Sequence, residues 1–272
     1  MTTALIERDG VVLRARLDRG VSVAVTLDFD GPQPQAFGAP RAARETLQGG
    51  SFIGDTRRGG SCNVSRVQLV AHCNGTHTEG VGHVVDDPHP VGSLAMDPLV
   101  PAAVVTVSPV EARGADEAEG RADPNDFVVT ADSLRAALDA FAPGILCAVV
   151  LRTLPNDLSK ASRDWDVSGA PYLTPAAAAL LAERGVEHLV VDLPSLDRMD
   201  DGGRLAAHRA FFGLPDGSRS LSDCARPRAT VTELAYVPDA LADGLYALSL
   251  QVAPWSADAV PSRPILYPAE IA

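Results

Sequence analysis

The stretch Thr174-Pro175-Ala176-Ala177-Ala178-Ala179-Leu180-Leu181-Ala182-Glu183-Arg184-Gly185-Val186-Glu187-His188-Leu189-Val190-Val191-Asp192-Leu193 decides the fold class. Its first half reads as a helix. Thr174 offers an N-cap oxygen, Pro175 suits a first turn whose N–H groups have no helical partner, and Gly185 stops the run after Arg184. Its second half, His188–Leu193, is a short aliphatic run of strand length. A helix feeding an apolar strand is the unit of an α/β protein. Upstream lie a strand at Ile145–Leu151 and a helix at Ser133–Phe141, the latter behind the cap residues Thr130-Ala131-Asp132. Downstream, a helix at Arg204–Phe212 stops at Gly213, and strands follow at Thr230–Val237 and Leu245–Ala253. Nearer the N-terminus, β-branched runs at Val11–Leu17, Val21–Leu27, Val64–Ala71, Ala102–Val107 and Phe127–Thr130 add further strands. The order is not the strict βαβ alternation of a barrel or a dinucleotide-binding fold. We expect a mixed, strand-rich α/β domain with a few packed helices, spanning residues 1–272.

Composition narrows the function classes. The 272 residues are 46% hydrophobic and 21% charged, which suits one large globular domain. No run approaches the ~18 apolar residues of a membrane span. The N-terminal residues lack a basic region followed by a long apolar one, so no secretory signal is expected. The net charge of −12 disfavours nucleic acid, whose binding rests on phosphate neutralisation. Cys62, Cys73, Cys147 and Cys224 are scattered and form no CxxC pair, which points to a reducing cytoplasm. The acidic segment Glu111–Asp126 reads as a solvated loop.

The densest chemistry lies in His72-Cys73-Asn74-Gly75-Thr76-His77-Thr78-Glu79-Gly80-Val81-Gly82-His83, which holds three of the six histidines. Divalent metals favour imidazole nitrogen and carboxylate oxygen. On an extended strand His77 and Glu79 point to the same face. A bulge or turn at Gly75 would swing His72 onto that face, and the glycines 80 and 82 would bring His83 back over it. Far downstream, Glu233 shares an alternating face with Val231, Ala235 and Val237, where a carboxylate is costly unless paired or metal-bound. Alone, His208 on its amphipathic helix reads as a packing residue. His89 and His188 read as structural.

The run from His72 to His83 resembles the His-x-Gly-Thr-His-x-Asp-x-x-x-His motif of the cyclase family, which holds bacterial kynurenine formamidases and isatin hydrolases. Three other landmarks follow the same order. Gly54-Asp55-Thr56 is similar to that family's Pro-Gly-Asp-Thr turn. Leu189–Asp197 is similar to its strand ending in Asp-x-x-Ser-x-Asp, and the segment from Thr232-Glu233-Leu234 to Gly244-Leu245-Tyr246 to its Glu-x-Leu…Gly-x-Tyr segment. There are departures. The position four residues before His77 is Cys73, so either the chain bulges to restore His72 or Cys73 or Asn74 takes its place. Glu79 stands where kynurenine formamidases have Asp, and the Pro before the last histidine is missing.

The resemblance implies a swivelling β/β/α fold, a homodimer or higher homo-oligomer, and one or two divalent ions, zinc or manganese. It implies His72, His77, Glu79, His208 and Glu233 as metal ligands and His83 as the proton shuttle. The activity expected is hydrolysis of a C–N bond (amide, formamide or lactam) in a small, cyclic or aryl substrate. A lactonase or dehydratase-like cyclase on the same scaffold is the second reading. A metal-binding protein that has lost catalysis is the third.

Overall fold

In the computed structural model, residues 2–94, 96–113, 123–142 and 144–272 are described. In chain order the principal elements are β1 (Thr3–Arg8), β2 (Val11–Arg16), α1 (Ala71–Asn74), β3 (His77–Gly80), β4 (Val100–Val107), α2 (Ala131–Leu138), β5 (Ala148–Thr153), α3 (Trp165–Ser168), α4 (Pro175–Glu183), β6 (His188–Val191), α5 (Ala206–Phe212), β7 (Thr230–Glu233), β8 (Gly244–Ser249), β9 (Ala259–Pro261) and β10 (Ile265–Ile271). The main sheet runs β1-β2-β10-β8-β4-β5-β6-β7-β3-β9, with Val21–Ser22 paired beside β10. Its centre, β4-β5-β6-β7, is parallel. Antiparallel β8 and β3 flank that centre.

The parallel strands are buried on both faces, which is why Ala148-Val149-Val150-Leu151 and Leu189-Val190-Val191 are unbroken apolar runs. Val105, Val149, Leu151, Leu189, Val191 and Val231 pack on one face against Leu134 and Leu138 of α2, Leu180 and Leu181 of α4, and Phe211 and Phe212 of α5. Ala102, Val104, Val150 and Val190 lie on the other face and cluster there with Val23, Tyr246, Leu248 and Leu266. Both expected caps form. Thr130 accepts from Ser133 N and Thr174 from Ala177 N.

The observed elements depart from the expected ones in particular places. Val21–Leu27 pairs only at Val21–Ser22 and through an isolated bridge at Ala24. The run Val64–Ala71 keeps strand pairing at Ser65–Gln68, and Ala71 opens α1 instead. The ladder of Thr230–Val237 ends at Glu233 because Leu234 takes φ 52, and beyond it Ala235 makes only an isolated bridge with Ala24. That left-handed residue breaks the alternation, so Val231 packs on the helical face while Ala235 and Val237 pack on the opposite one. The face shared by Glu233, Ala235 and Val237 in the alternating reading is therefore not formed. Of the acidic segment Glu111–Asp126, residues 114–122 lie outside the described residues. Its end is not merely solvated, because Asp126 accepts from Tyr172 Oη and Arg198 Nε. No described helix is long and apolar enough to cross a membrane.

Candidate metal centre

The site is built where β3 lies between β7 and β9. Antiparallel register sets Glu233 opposite His77 and Val231 opposite Glu79, and on the other side Ala259 opposite Glu79. His77 and Glu79 therefore share a face, as their spacing requires, and Glu233 joins it from the next strand. All three are buried.

His72 arrives by a helical turn. In α1 the amides of Cys73 and Asn74 both donate to Val70 O, and this coil carries the His72 ring toward β3. The expected bulge at Gly75 is absent, since Gly75 is fully extended (φ 170, ψ −176). His72 Nδ1 lies 2.7 Å from Glu79 Oε2. The two alternatives for its position have other surroundings. Asn74 is tied to Val70 N and Pro40 O. Cys73 is a thiol that burial pushes up to about 11.

His208 comes from α5. Asp197, at the end of the Asp-x-x-Ser-x-Asp run, accepts from Ala207 N at 2.6 Å and His208 N at 3.1 Å, satisfying first-turn amides. The same carboxylate takes His208 Nδ1 at 2.6 Å, which fixes the ring and turns Nε2 toward the cluster. His208 Nε2 is 2.8 Å from Glu79 Oε1 and 3.3 Å from Glu233 Oε1. His77 is oriented in the same manner. Its Nδ1 bonds Gly75 O at 3.0 Å, and its Nε2 faces Glu233 Oε2 at 3.4 Å and Glu79 Oε2 at 3.8 Å.

Among the described residues the cluster holds three donor groups, each with its donor atoms within 4.8 Å of one another: the buried pair His72-His77-Glu79 and Glu79-His208-Glu233, and a more exposed one, His72-His83-Asp258. Glu79 belongs to both buried groups. The fit to a metal is tested by the polar atoms left over. His72 Nδ1, His77 Nε2, His208 Nε2 and both Glu79 oxygens are buried without an aligned hydrogen bond. Buried polar atoms are normally paired, so five converging orphans mark a place for a cation. Imidazole and carboxylate donors suit a borderline or hard divalent ion.

The charges agree. Burial alone would lower His208, but Asp197, Glu233 and Glu79 raise it well above the ordinary histidine value. Burial likewise opposes the charge on His72, yet Asp258 and Glu79 lift it to about 10. Burial would push Glu79 up, and His83, His208 and His72 bring it well below the usual carboxylate range. Glu233 is raised by burial and by neighbouring Glu79, but His208 and His77 leave it lowered overall. Without a metal, protonated His72 and His208 offset the repulsion of the two carboxylates.

His83 follows β3 on the turn Val81–His83. Gly82 is required there, because a Cβ would meet His89 O at 2.5 Å. The His83 ring stands 4.4 Å from that of His72 and 5.7 Å from that of His208. Every residue read from the sequence as a site residue is thus brought together. One that was not read is Asp258, the residue before β9, whose Oδ2 lies 3.0 Å from His72 Nε2 and 3.4 Å from His83 Nδ1. It stands 175 positions from His83, beyond any local spacing signal. Cys147, Glu187 and His188 also converge, at the other end of the parallel strands. There Arg8 already supplies positive charge, 3.6 Å from Glu187.

The family model described as Putative cyclase matches residues 15–198. A kynurenine formamidase of Bacillus mycoides is 30% identical over 211 residues, covering 77% of this chain and 82% of its own. Isatin hydrolase A from Labrenzia aggregata, solved with benzyl benzoate, superposes with a TM-score of 0.62 at 19% identity, over 92% of this chain and 93% of that one. A predicted metal-dependent hydrolase from Bacillus stearothermophilus superposes at 0.58 with 17% identity, over 92% and 98%. The matched span includes His72, His77, Glu79 and His83, and the solved structures share the strand-rich mixed sheet on which these residues stand. The chain belongs to the cyclase family.

Proposed function

We propose that this protein is a metal-dependent hydrolase that cleaves the C–N bond of an amide, formamide or lactam in a small aryl substrate, using zinc or manganese. The observation that carries the reading is Glu79. Its two oxygens face different imidazoles, Oε1 toward His208 at 2.8 Å and Oε2 toward His72 at 2.7 Å. One buried carboxylate shared by two donor groups would let the site hold one or two divalent ions. His72 and His77 would complete one side, His208 and Glu233 the other. A bound divalent ion supplies Lewis acidity and lowers the pKa of a water toward ~7. The chain's own residues do the rest. His83 takes a proton from the attacking water and returns it to the leaving nitrogen, the acid–base role that imidazoles most often fill. The products are then a carboxylate and an amine.

Turnover of formanilide and of isatin by protein loaded with Zn²⁺ or Mn²⁺ tests the proposal. Stoichiometric metal with no turnover of either would leave a binding protein, and hydrolysis of lactones alone would move the activity to C–O bonds. His83→Ala separates the roles. We expect it to keep the wild-type metal content and to lose about 10²–10⁴-fold in turnover. A variant that loses its metal by elemental analysis would make His83 a ligand.

The chain is proposed to work as one domain and as a homodimer in the cytoplasm. Phe127, Leu154, Leu158 and Val167 are exposed apolar side chains, and all four described cysteines are free. Light scattering should report about twice the chain mass of 28.4 kDa. A monomer at micromolar concentration would remove the dimer.

A further inference from the structure

We propose that Asp258 is a positioning residue that aligns a metal ligand and the proton shuttle with one carboxylate oxygen. The inference rests on the functional reading above for His83 but not for His72. Asp258 Oδ2 is within reach of His72 Nε2, at 3.0 Å, and of His83 Nδ1, at 3.4 Å. His72 thus has one nitrogen on Asp258 and the other directed at Glu79 Oε2. That is the carboxylate–histidine arrangement that fixes the tautomer and ring plane of a metal-binding imidazole. For His83, a proton on Nδ1 shared with Asp258 leaves Nε2 as the free acceptor. The tilted contact of the two rings, 4.4 Å between centroids, follows from their common partner.

Asp258 is itself held. Gly80 N donates to Asp258 O, Val91 N donates to Ala257 O, and the next three residues pair with β3 as β9. The strand that carries His77 and Glu79 therefore also anchors the residue that orients His72 and His83. The carboxylate is 44% exposed, so its substitution leaves the core intact.

The experiment compares Asp258→Ala and Asp258→Asn with wild type, alone and in a His83→Ala background. The first readout is Zn²⁺ affinity by competition with a chromophoric chelator, which needs no substrate. The second is kcat and KM for formanilide at saturating Zn²⁺. Asp258→Ala should weaken Zn²⁺ binding about 10–100-fold and lower kcat by a similar factor, with KM little changed. Asp258→Asn keeps an oxygen acceptor and should recover most of both. In the His83→Ala background, Asp258→Ala should cost no further kcat. A kcat loss that adds fully to that of His83→Ala, unchanged Zn²⁺ affinity, or an Asn variant as impaired as Ala would each overturn the proposal. If wild-type protein hydrolyses no amide, the functional reading fails, while the Zn²⁺ titration still decides whether Asp258 positions His72.

Discussion

Chelation should lower the melting temperature of the wild-type protein, added Zn²⁺ or Mn²⁺ should restore it, and His77→Ala should abolish the response. His77 Nε2 faces Glu79 and Glu233 and is buried with no aligned partner, so a divalent ion held by it would be the partner it lacks. Ligand at a hundredfold excess over its Kd stabilises by about 2.7 kcal/mol. For a chain of this size that shifts melting by about 5–10 °C. His188→Ala should keep the shift, because its Nδ1 bonds Thr230 Oγ1 at 2.8 Å, away from the cluster. Equal metal content in wild type and His77→Ala would sink the assignment. The same melts in the absence of metal carry a pH signature. His72 titrates near 10 in the fold, against 6.5 for an unperturbed histidine. Its contribution is therefore complete below about 6.5 and lost as pH rises toward 10. The metal-free protein should lose stability across that window, and His72→Ala should flatten the loss.

Lys160→Met should destabilise the protein by about 3–5 kcal/mol, a fall in melting temperature of about 6–20 °C. Lys160 is buried, and its Nζ donates to Thr153 O at 2.6 Å, Thr153 Oγ1 at 2.9 Å and Asp192 Oδ2 at 2.7 Å. Asp192 also accepts from Thr153 N and Thr153 Oγ1. Every proton of the ammonium is used, at the carboxyl ends of β5 and β6. Removing the lysine leaves a buried carboxylate that burial already pushes toward its neutral form. The deficit should accordingly grow as pH rises, because the unpaired carboxyl must ionise. Replacing both partners, as Lys160→Met with Asp192→Leu, should recover part of the loss. Melting of the single variant at the wild-type temperature would show that the pair contributes nothing.

The α/β class and the local half of the site were legible because they rest on short-range physics. Caps at Thr130 and Thr174, the stop at Gly185 and the unbroken run at Leu189–Val191 each act within one turn or strand. The same-face geometry of His77 and Glu79 follows from a period of two alone. The resemblance placed His208 and Glu233 beside them, which spacing by itself did not. Sequence patterning missed β1, which pairs with β2 across the Asp9-Gly10 turn, and β9 and β10, whose pairing with β3 and β2 is settled by distant partners.

Tertiary structure decided the remainder. That His72, and not Cys73 or Asn74, turns toward Glu79 rests on one coil of helix held by Val70 O and on Asn74 finding its own partners. The end of β7 was decided by Leu234 at φ 52, which turns Ala235 and Val237 to the far side of the sheet and leaves Glu233 at the strand end. Asp258 entered the site only because β9 pairs with β3, and the buried Lys160–Asp192 pair formed only because two loops meet above β5 and β6. Alternation, capping and ligand preference belong to neighbours along the chain, so the sequence alone determines them. Pairings across a sheet edge, and the burial that makes an unpaired imidazole or carboxylate costly, depend on residues from tens to nearly two hundred positions apart and exist only once the sheet has closed.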